Sequence, residues 1–230
     1  MRVLNFGSLN LDHTYTMDHF VQPAETTGAL DFNVYFGGKG HNQSIALARA
    51  GVTTFHAGLI GTDGEGIRRH MEENGVDTRY TGVAAVPTGH AIIQVDKNGQ
   101  NAIIVYAGAN GCILPELADT VLAAFSRGDT LVLQNEISGI PHIMKAAKGR
   151  GMRIVFNTSP FVPEIMNYPL ETVDMLVVNE IESEALAGRR EPDGICDELR
   201  RRYLAAEVLL PRGLQGALFA SGCERTYRPA

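Results

Sequence analysis

Two rhythms of apolar residues alternate along the chain. Short unbroken apolar runs at residues 2–7, 54–60, 130–134, 153–157 and 175–178 have the length of buried strands. Between them apolar positions return every three or four residues, which predicts helices over 64–74, 116–125, 140–148, 180–187 and 193–204. Gly61-Thr62-Asp63-Gly64 and Asn74-Gly75 punctuate the series, and short strands at 81–83, 207–210 and 217–221 complete it. Strands that alternate with helices in this order lie parallel, with helices on both faces of the sheet.

A different pattern interrupts that series. Residues 10–16 and 30–36 alternate polar with apolar, as half-exposed strands do. Residues 89–95 and 101–106 alternate across Asp96-Lys97-Asn98-Gly99, whose Asn-Gly pair is a strong hairpin signal. No repeat or low-complexity linker separates these segments from the rest. They are expected to project from a single α/β domain of residues 1–230 as a small β-sheet lid, built from about 12–18, 30–36 and 88–106.

Composition narrows the partners. With 230 residues and 44% hydrophobic content, the chain can bury the core of one large domain. A formal charge of -6 and a pI near 5.6, with acids and bases interspersed, leave no basic face for nucleic acid. The basic runs Arg68-Arg69-His70 and Arg200-Arg201-Arg202 lie beside glutamates in predicted helices and read as solvated faces. Cys112, Cys196 and Cys223 are odd in number and far apart, which fits neither a disulfide framework nor a zinc site. No apolar run is long enough to cross a bilayer, and Asn10 and Asp12 break the opening run before a signal-peptide core forms. A cytoplasmic protein without membrane partners is expected.

Candidate chemistry collects at strand ends. Gly37-Gly38-Lys39-Gly40 leads directly into a helix predicted over 43–50, so free N–H groups and the positive end of the helix dipole should suit an anionic or hydroxyl-rich ligand. The run is neither a Walker A loop nor a dinucleotide fingerprint, and alone it also reads as a tight turn. Asn10 and Asp12 follow the first strand, Asn42 sits just after the glycine run, and Glu136 follows the strand at 130–134. Ligands bind at such strand ends, and two amides with two carboxylates can read sugar hydroxyls, although each singly also suits a helix cap. Asn179 and Glu182 have the spacing of a helix cap and its capping-box partner. His13, His41 and His90 lie near the proposed pocket without metal-binding spacing, so no chemistry is assigned to them.

Several blocks, in order, resemble the ribokinase family, also called the phosphofructokinase-B family. They are GSLNLD at 7–12, PAETTG at 23–28, FGGKGHNQSIALARAG at 36–51, TGHAIIQVDKNGQNAIIVYAGAN at 88–110 and NEIESEAL at 179–186. The resemblance implies a three-layer α/β sandwich with a mostly parallel central sheet and a small β-sheet lid. It implies that Asn10, Asp12, Gly38, Lys39, Gly40, Asn42 and Glu136 line a sugar pocket. It assigns Asn179 and Gly213 to the nucleotide and Glu182 to Mg2+, whose hard charge prefers oxygen ligands. Asn157 matches an asparagine near the phosphates. ATP and Mg2+, with a monovalent cation such as K+, are the implied cofactors. The lid strands offer a dimer surface by edge pairing, so a homodimer through the lid is expected.

Two departures from the family pattern bear on activity. Members carry a GAGD segment whose aspartate serves as general base, and no GAGD occurs in these 230 residues. The chain is therefore expected to stop short of that segment, to have no catalytic residue of its own and to be inactive or weak alone. Pro211-Arg212-Gly213 stands where the family has a threonine-leucine-glycine turn, so a hydroxyl and a backbone donor are missing. Two readings stay open: a sugar kinase acting on the primary hydroxyl of a furanose such as ribose, and a non-catalytic sugar-binding or dimerisation remnant of one.

Overall fold

Apolar runs and helical stripes become, in chain order, β1 (Val3–Phe6), β2 (Asn10–Thr16), β3 (Asp31–Gly37), α1 (Lys39–Arg49), β4 (Thr54–Ile60), α2 (Glu65–Glu73) and β5 (Asp77–Val83). There follow β6 (Gly89–Val95), β7 (Asn101–Tyr106), α3 (Pro115–Leu122), β8 (Thr130–Gln134), α4 (Ile140–Gly149), β9 (Arg153–Asn157) and β10 (Met175–Val177). The last elements are α5 (Glu180–Ala187), α6 (Pro192–Arg202), β11 (Glu207–Pro211), β12 (Ala217–Ser221) and β13 (Glu224–Arg228). The computed structural model describes residues 2–189, 191–203, 207–222 and 224–230. Cys223 and the final residue of the helix expected at 193–204 lie outside them. By contact the chain forms two units, Met1–Phe6 with Leu114–Ala230, and Gly7–Ile113.

The first of these units carries the order β13-β12-β11-β10-β9-β8-β1. Strands β1, β8, β9, β10 and β11 pair in parallel, and β12 and β13 are antiparallel additions. Parallel strands are buried on both faces: Leu4, Phe6, Leu131, Leu133, Ile154, Phe156 and Leu176 are sealed from solvent on one face, and Val3, Asn5 and Val132 are buried on the other. Helix α4 buries Ile140, Ile143, Met144 and Ala147, the spacing that keeps one face of a helix on a sheet. At the end of β8 the buried Gln134 donates from Nε2 to Asn5 Oδ1 at 2.7 Å. Of the cysteines described, Cys196 is buried and Cys112 exposed, and both are free thiols.

The second unit holds the interrupting strands. They form a separate four-stranded sheet, β3-β2-β6-β7, in which β2 and β6 run parallel and the outer pairs antiparallel. The Asn-Gly signal closes the β6–β7 hairpin: Asp96 N–H donates to Gln100 O at 3.0 Å, and Gly99, at φ 76°, donates back to Asp96 O at 2.9 Å. Strands β4 and β5 pair in parallel. Leu9, Ile45, Ile60, Ile67, Met71 and Val76 make the core beneath helices α1 and α2. Helix α1 begins at Lys39 rather than at residue 43, because Gly38 is its N-cap and the lysine and second glycine form its first turn. Together the units make a mixed α/β fold with a large, mostly parallel sheet and a smaller one.

Candidate functional site

Each glycine at the start of α1 answers to a specific neighbour. At Gly37 a side chain would put Cβ 1.9 Å from Asp12 Oδ2, so the bare backbone leaves room for that carboxylate. Gly38 has φ 92°, in the left-handed region that suits glycine, and a Cβ there would lie 2.9 Å from Ser8 O. A Cβ on Gly40 would lie 2.3 Å from Ser8 N and 2.5 Å from the Gly7 carbonyl carbon. The first turn of α1 therefore rests directly on the backbone of residues 7 and 8.

That contact corrects one expectation. Gly40 N–H donates to Ser8 Oγ at 3.1 Å and His41 N–H to Ser8 O at 2.9 Å, so two of the helix-start donors are already used. The helix dipole and the half-buried Lys39 still give this turn a positive character. Ser8, fully buried, is a supporting residue that sequence reasoning did not single out, although it lies inside the GSLNLD block.

Within this unit the structure brings Asn10, Asp12, Gly38, Lys39 and Gly40 together. Asn10 opens β2, flanked across the ladder by Gly37 on β3 and Gly89 on β6. Its Oδ1 accepts from Asn110 Nδ2 at 2.8 Å. Asp12 lies two residues on, on the same face of β2 as Asn10, and is half-buried. Asn42 sits in the first turn of α1 with an exposed side chain whose Oδ1 meets His41 Nδ1 at 3.0 Å.

Four histidines in this unit serve packing. His41 is buried, stacks on His70 with ring centroids 5.2 Å apart and joins it through Nε2 and Nδ1 at 3.0 Å. Burial pushes the His41 imidazole below its usual range. His56 lies wholly inside beneath α1, with Nδ1 2.8 Å from Ser44 Oγ, and burial takes it down to about 3. His13 stacks on Phe32 across the small sheet with centroids 5.9 Å apart.

The remaining candidates belong to the first unit. Glu136 is half-buried in the turn after β8. Asn135 beside it anchors that turn, donating from N to Ser159 O at 3.2 Å and from Nδ2 to Pro160 O at 2.7 Å. Asn157, at the end of β9, accepts from Ser159 N–H through Oδ1 at 3.0 Å. Asn179 and Glu182 form the reciprocal cap of α5: Glu182 N–H donates to Asn179 Oδ1 at 2.9 Å, and Asn179 N–H to Glu182 Oε2 at 3.1 Å. Thr158 Oγ1 adds a third bond to Glu182 Oε2 at 3.2 Å.

Glu182 is nearly buried, yet its bonds fall on one carboxylate oxygen. Among the described residues no cluster of three histidine, cysteine or acidic side chains could hold a metal. A single carboxylate fits a Mg2+ ion that keeps waters and shares phosphate oxygens, rather than one caged by protein. Gly213, at φ 54°, starts the turn between β11 and β12, where Arg212 N–H donates to Gly216 O at 2.7 Å.

A mixed α/β fold of this build, with a separate small sheet and a glycine-built helix start beside an amide and a carboxylate, is the architecture of a sugar kinase. The chain belongs to the pfkB family of carbohydrate kinases, whose model matches residues 2–230. It is 35% identical over 231 residues to a ribokinase of Staphylococcus aureus, covering 96% of this chain and 75% of that protein. A ribokinase of Cryptococcus neoformans var. grubii, solved in complex with ADP, matches with TM-score 0.81 and 30% identity over 100% of this chain and 78% of its own. The Arabidopsis thaliana ribokinase complexed with ribose and ATP also matches at 0.81, with 25% identity over 99% of this chain and 77% of that one.

Proposed function

We propose that the chain binds a furanose such as ribose and presents its primary hydroxyl for in-line phosphorylation by ATP. The observation that carries this reading is the assembly of Asn10, Asp12 and the Gly38-Lys39-Gly40 helix start in one unit, each glycine matched to a neighbour. Asn10, Asp12 and Asn42 hold the sugar hydroxyls and Lys39 keeps their surroundings positive, while Glu136 is a sugar ligand on the strength of the family resemblance alone. Asn179 and Gly213 face the nucleotide, and Glu182 is the residue that would hold Mg2+. When bound, that ion neutralises phosphate charge during transfer. A monovalent cation such as K+ is a further cofactor, the compartment is cytoplasmic, and the exposed small sheet pairs two copies into a dimer.

These 230 residues contain no GAGD, the segment whose aspartate takes the proton from the attacking hydroxyl in the family, so the kinase reading applies to a protein that carries that segment. A second reading, a sugar-binding or dimerisation remnant, draws on Pro211, which closes β11 and has no N–H to offer a nucleotide.

A coupled ADP-release assay with ribose, 2-deoxyribose, fructose and nucleosides tests the proposal. It is run on this chain and on a fusion that supplies the GAGD segment of a relative, with ribose and ATP binding followed by calorimetry. The kinase reading expects the fusion to turn over ribose and nucleotide binding to depend on Glu182. Sugar binding indifferent to ATP in both proteins supports the remnant, and silence in every arm removes both.

A further inference from the structure

Asn110 ends the Ala107-Gly108-Ala109-Asn110 block and is buried, with no part in the proposed sugar contacts. Its side chain spans both backbone polar groups of Leu9: Leu9 N–H donates to Asn110 Oδ1 at 3.0 Å, and Asn110 Nδ2 donates to Leu9 O at 3.2 Å. A backbone N–H can only donate and a backbone carbonyl can only accept. Leu9 therefore fixes which end of the Asn110 carboxamide is nitrogen, independently of how an amide would be assigned by shape.

The same Nδ2 carries a second proton, and it points 2.8 Å to Asn10 Oδ1. Asn10 must answer that donor with an oxygen, which leaves its own Nδ2 as the group able to meet a ligand. Gly89 makes room for the pair, since a Cβ there would lie 2.1 Å from Asn110 Nδ2 and 2.5 Å from Asn10 Oδ1.

The geometry points to Asn110 as a positioning residue that locks the Asn10 carboxamide so that Asn10 presents a hydrogen-bond donor to the sugar, beside the acceptor Asp12. This rests on the proposed sugar site and adds to it a polarity: at Asn10 the pocket selects a sugar oxygen that can accept. Asn10 touches substrate, and Asn110 acts through it. A sugar whose matching oxygen is removed or cannot accept loses that bond.

The test is carried out on the whole 230-residue chain with isotope labelling of side-chain amides and titration with ribose. Ribose is expected to shift the Asn10 side-chain NH2 signal and leave the Asn110 NH2 pair in place. Asn10→Asp keeps an oxygen toward Asn110 and should fold, but it turns an acceptor to the sugar, weakening ribose about tenfold or more. Asn110→Asp still accepts from Leu9 N–H but loses its donation to Leu9 O and draws the Asn10 NH2 inward, and should weaken ribose to a similar degree. Gly89→Ala, which drives a methyl between the two amides, should do the same.

Ribose binding that leaves the Asn10 NH2 signal unmoved, or an Asn110→Asp variant that binds like the parent, overturns the role of Asn110 and leaves the sugar site standing. No binding of any sugar by the parent chain overturns the sugar site instead. The parent titration decides the matter even if a variant fails to fold.

Discussion

At the scale of single residues, a glycine's importance follows from what its missing side chain would strike. Gly40 faces backbone atoms of Gly7 and Ser8, which cannot rotate away, whereas a Cβ on Gly149 in α4 would meet no heavy atom within 4 Å, and its φ is ordinary. Gly40→Ala should therefore cost about 1–3 kcal/mol and abolish ribose binding by displacing the first turn of α1. Gly149→Ala should be neutral or stabilise by up to about 1 kcal/mol. Urea melts with calorimetric ribose titrations check both, and equal effects would refute the argument from contact. His56 supplies a pH prediction. Its imidazole titrates at about 3 in the fold against an ordinary value of 6.5, so between those limits the unfolded chain binds the extra proton. Stability is full above pH 6.5 and falls on acidification by roughly 1.4 kcal/mol per pH unit until the folded value is reached. His56→Gln should flatten melts recorded between about pH 7 and 5, and an unchanged slope would mean the group is not the one responsible.

At the scale of elements, α5 shows one residue serving two demands that can be separated. Glu182 closes the capping box with Asn179 and also stands where the proposal puts magnesium. Glutamine fits the same position of a capping box but carries no charge. Glu182→Gln should hold thermal stability within about 0.5 kcal/mol while nucleotide binding loses its magnesium dependence, whereas Asn179→Ala should cost about 1 kcal/mol. If Glu182→Gln and the parent respond to magnesium alike, the glutamate is a cap only. This box was legible in the sequence because it depends on two residues three apart. The start of α1 was not: turn chemistry placed it after Gly40, and only the long-range seat on Ser8 shows that Lys39 and Gly40 belong to the first helical turn. Elements written in local periodicity, such as α4 with its buried Ile140, Ile143, Met144 and Ala147, needed no such help. The polar strands were legible as strands through their alternation, and the Asn98-Gly99 hairpin fixed the β6–β7 register. The parallel pairing of β2 with β6 joins segments far apart in the chain and leaves no local trace.

At the scale of the whole molecule, the small sheet poses a question of coverage. Its ladder sets Val34, His13, Ile92 and Ile104 in one row across all four strands, with Phe32 and Tyr106 on the same face. Val34 is 47%, Ile104 64% and Tyr106 51% exposed, so this apolar face is open on a single copy. Contiguous apolar surface of this kind is costly in water and marks an interaction face more often than decoration. A second copy of the same face would bury it symmetrically, and the dimer expected of the lid strands falls on these residues. The sugar-site residues Asn10 and Asp12 belong to β2, a middle strand of the same sheet. Pairing two copies would therefore stiffen the strand that carries them. Val34→Lys with Ile104→Lys sets like charges against one another in a paired interface while leaving Asn10, Asp12 and the helix start untouched. Sedimentation should show a dimer for the parent chain and a monomer for this variant, and ribose affinity should fall several-fold in step. A parent that stays monomeric at high concentration would end the dimer reading. A variant monomer that binds ribose unchanged would show that β2 holds its register without a partner.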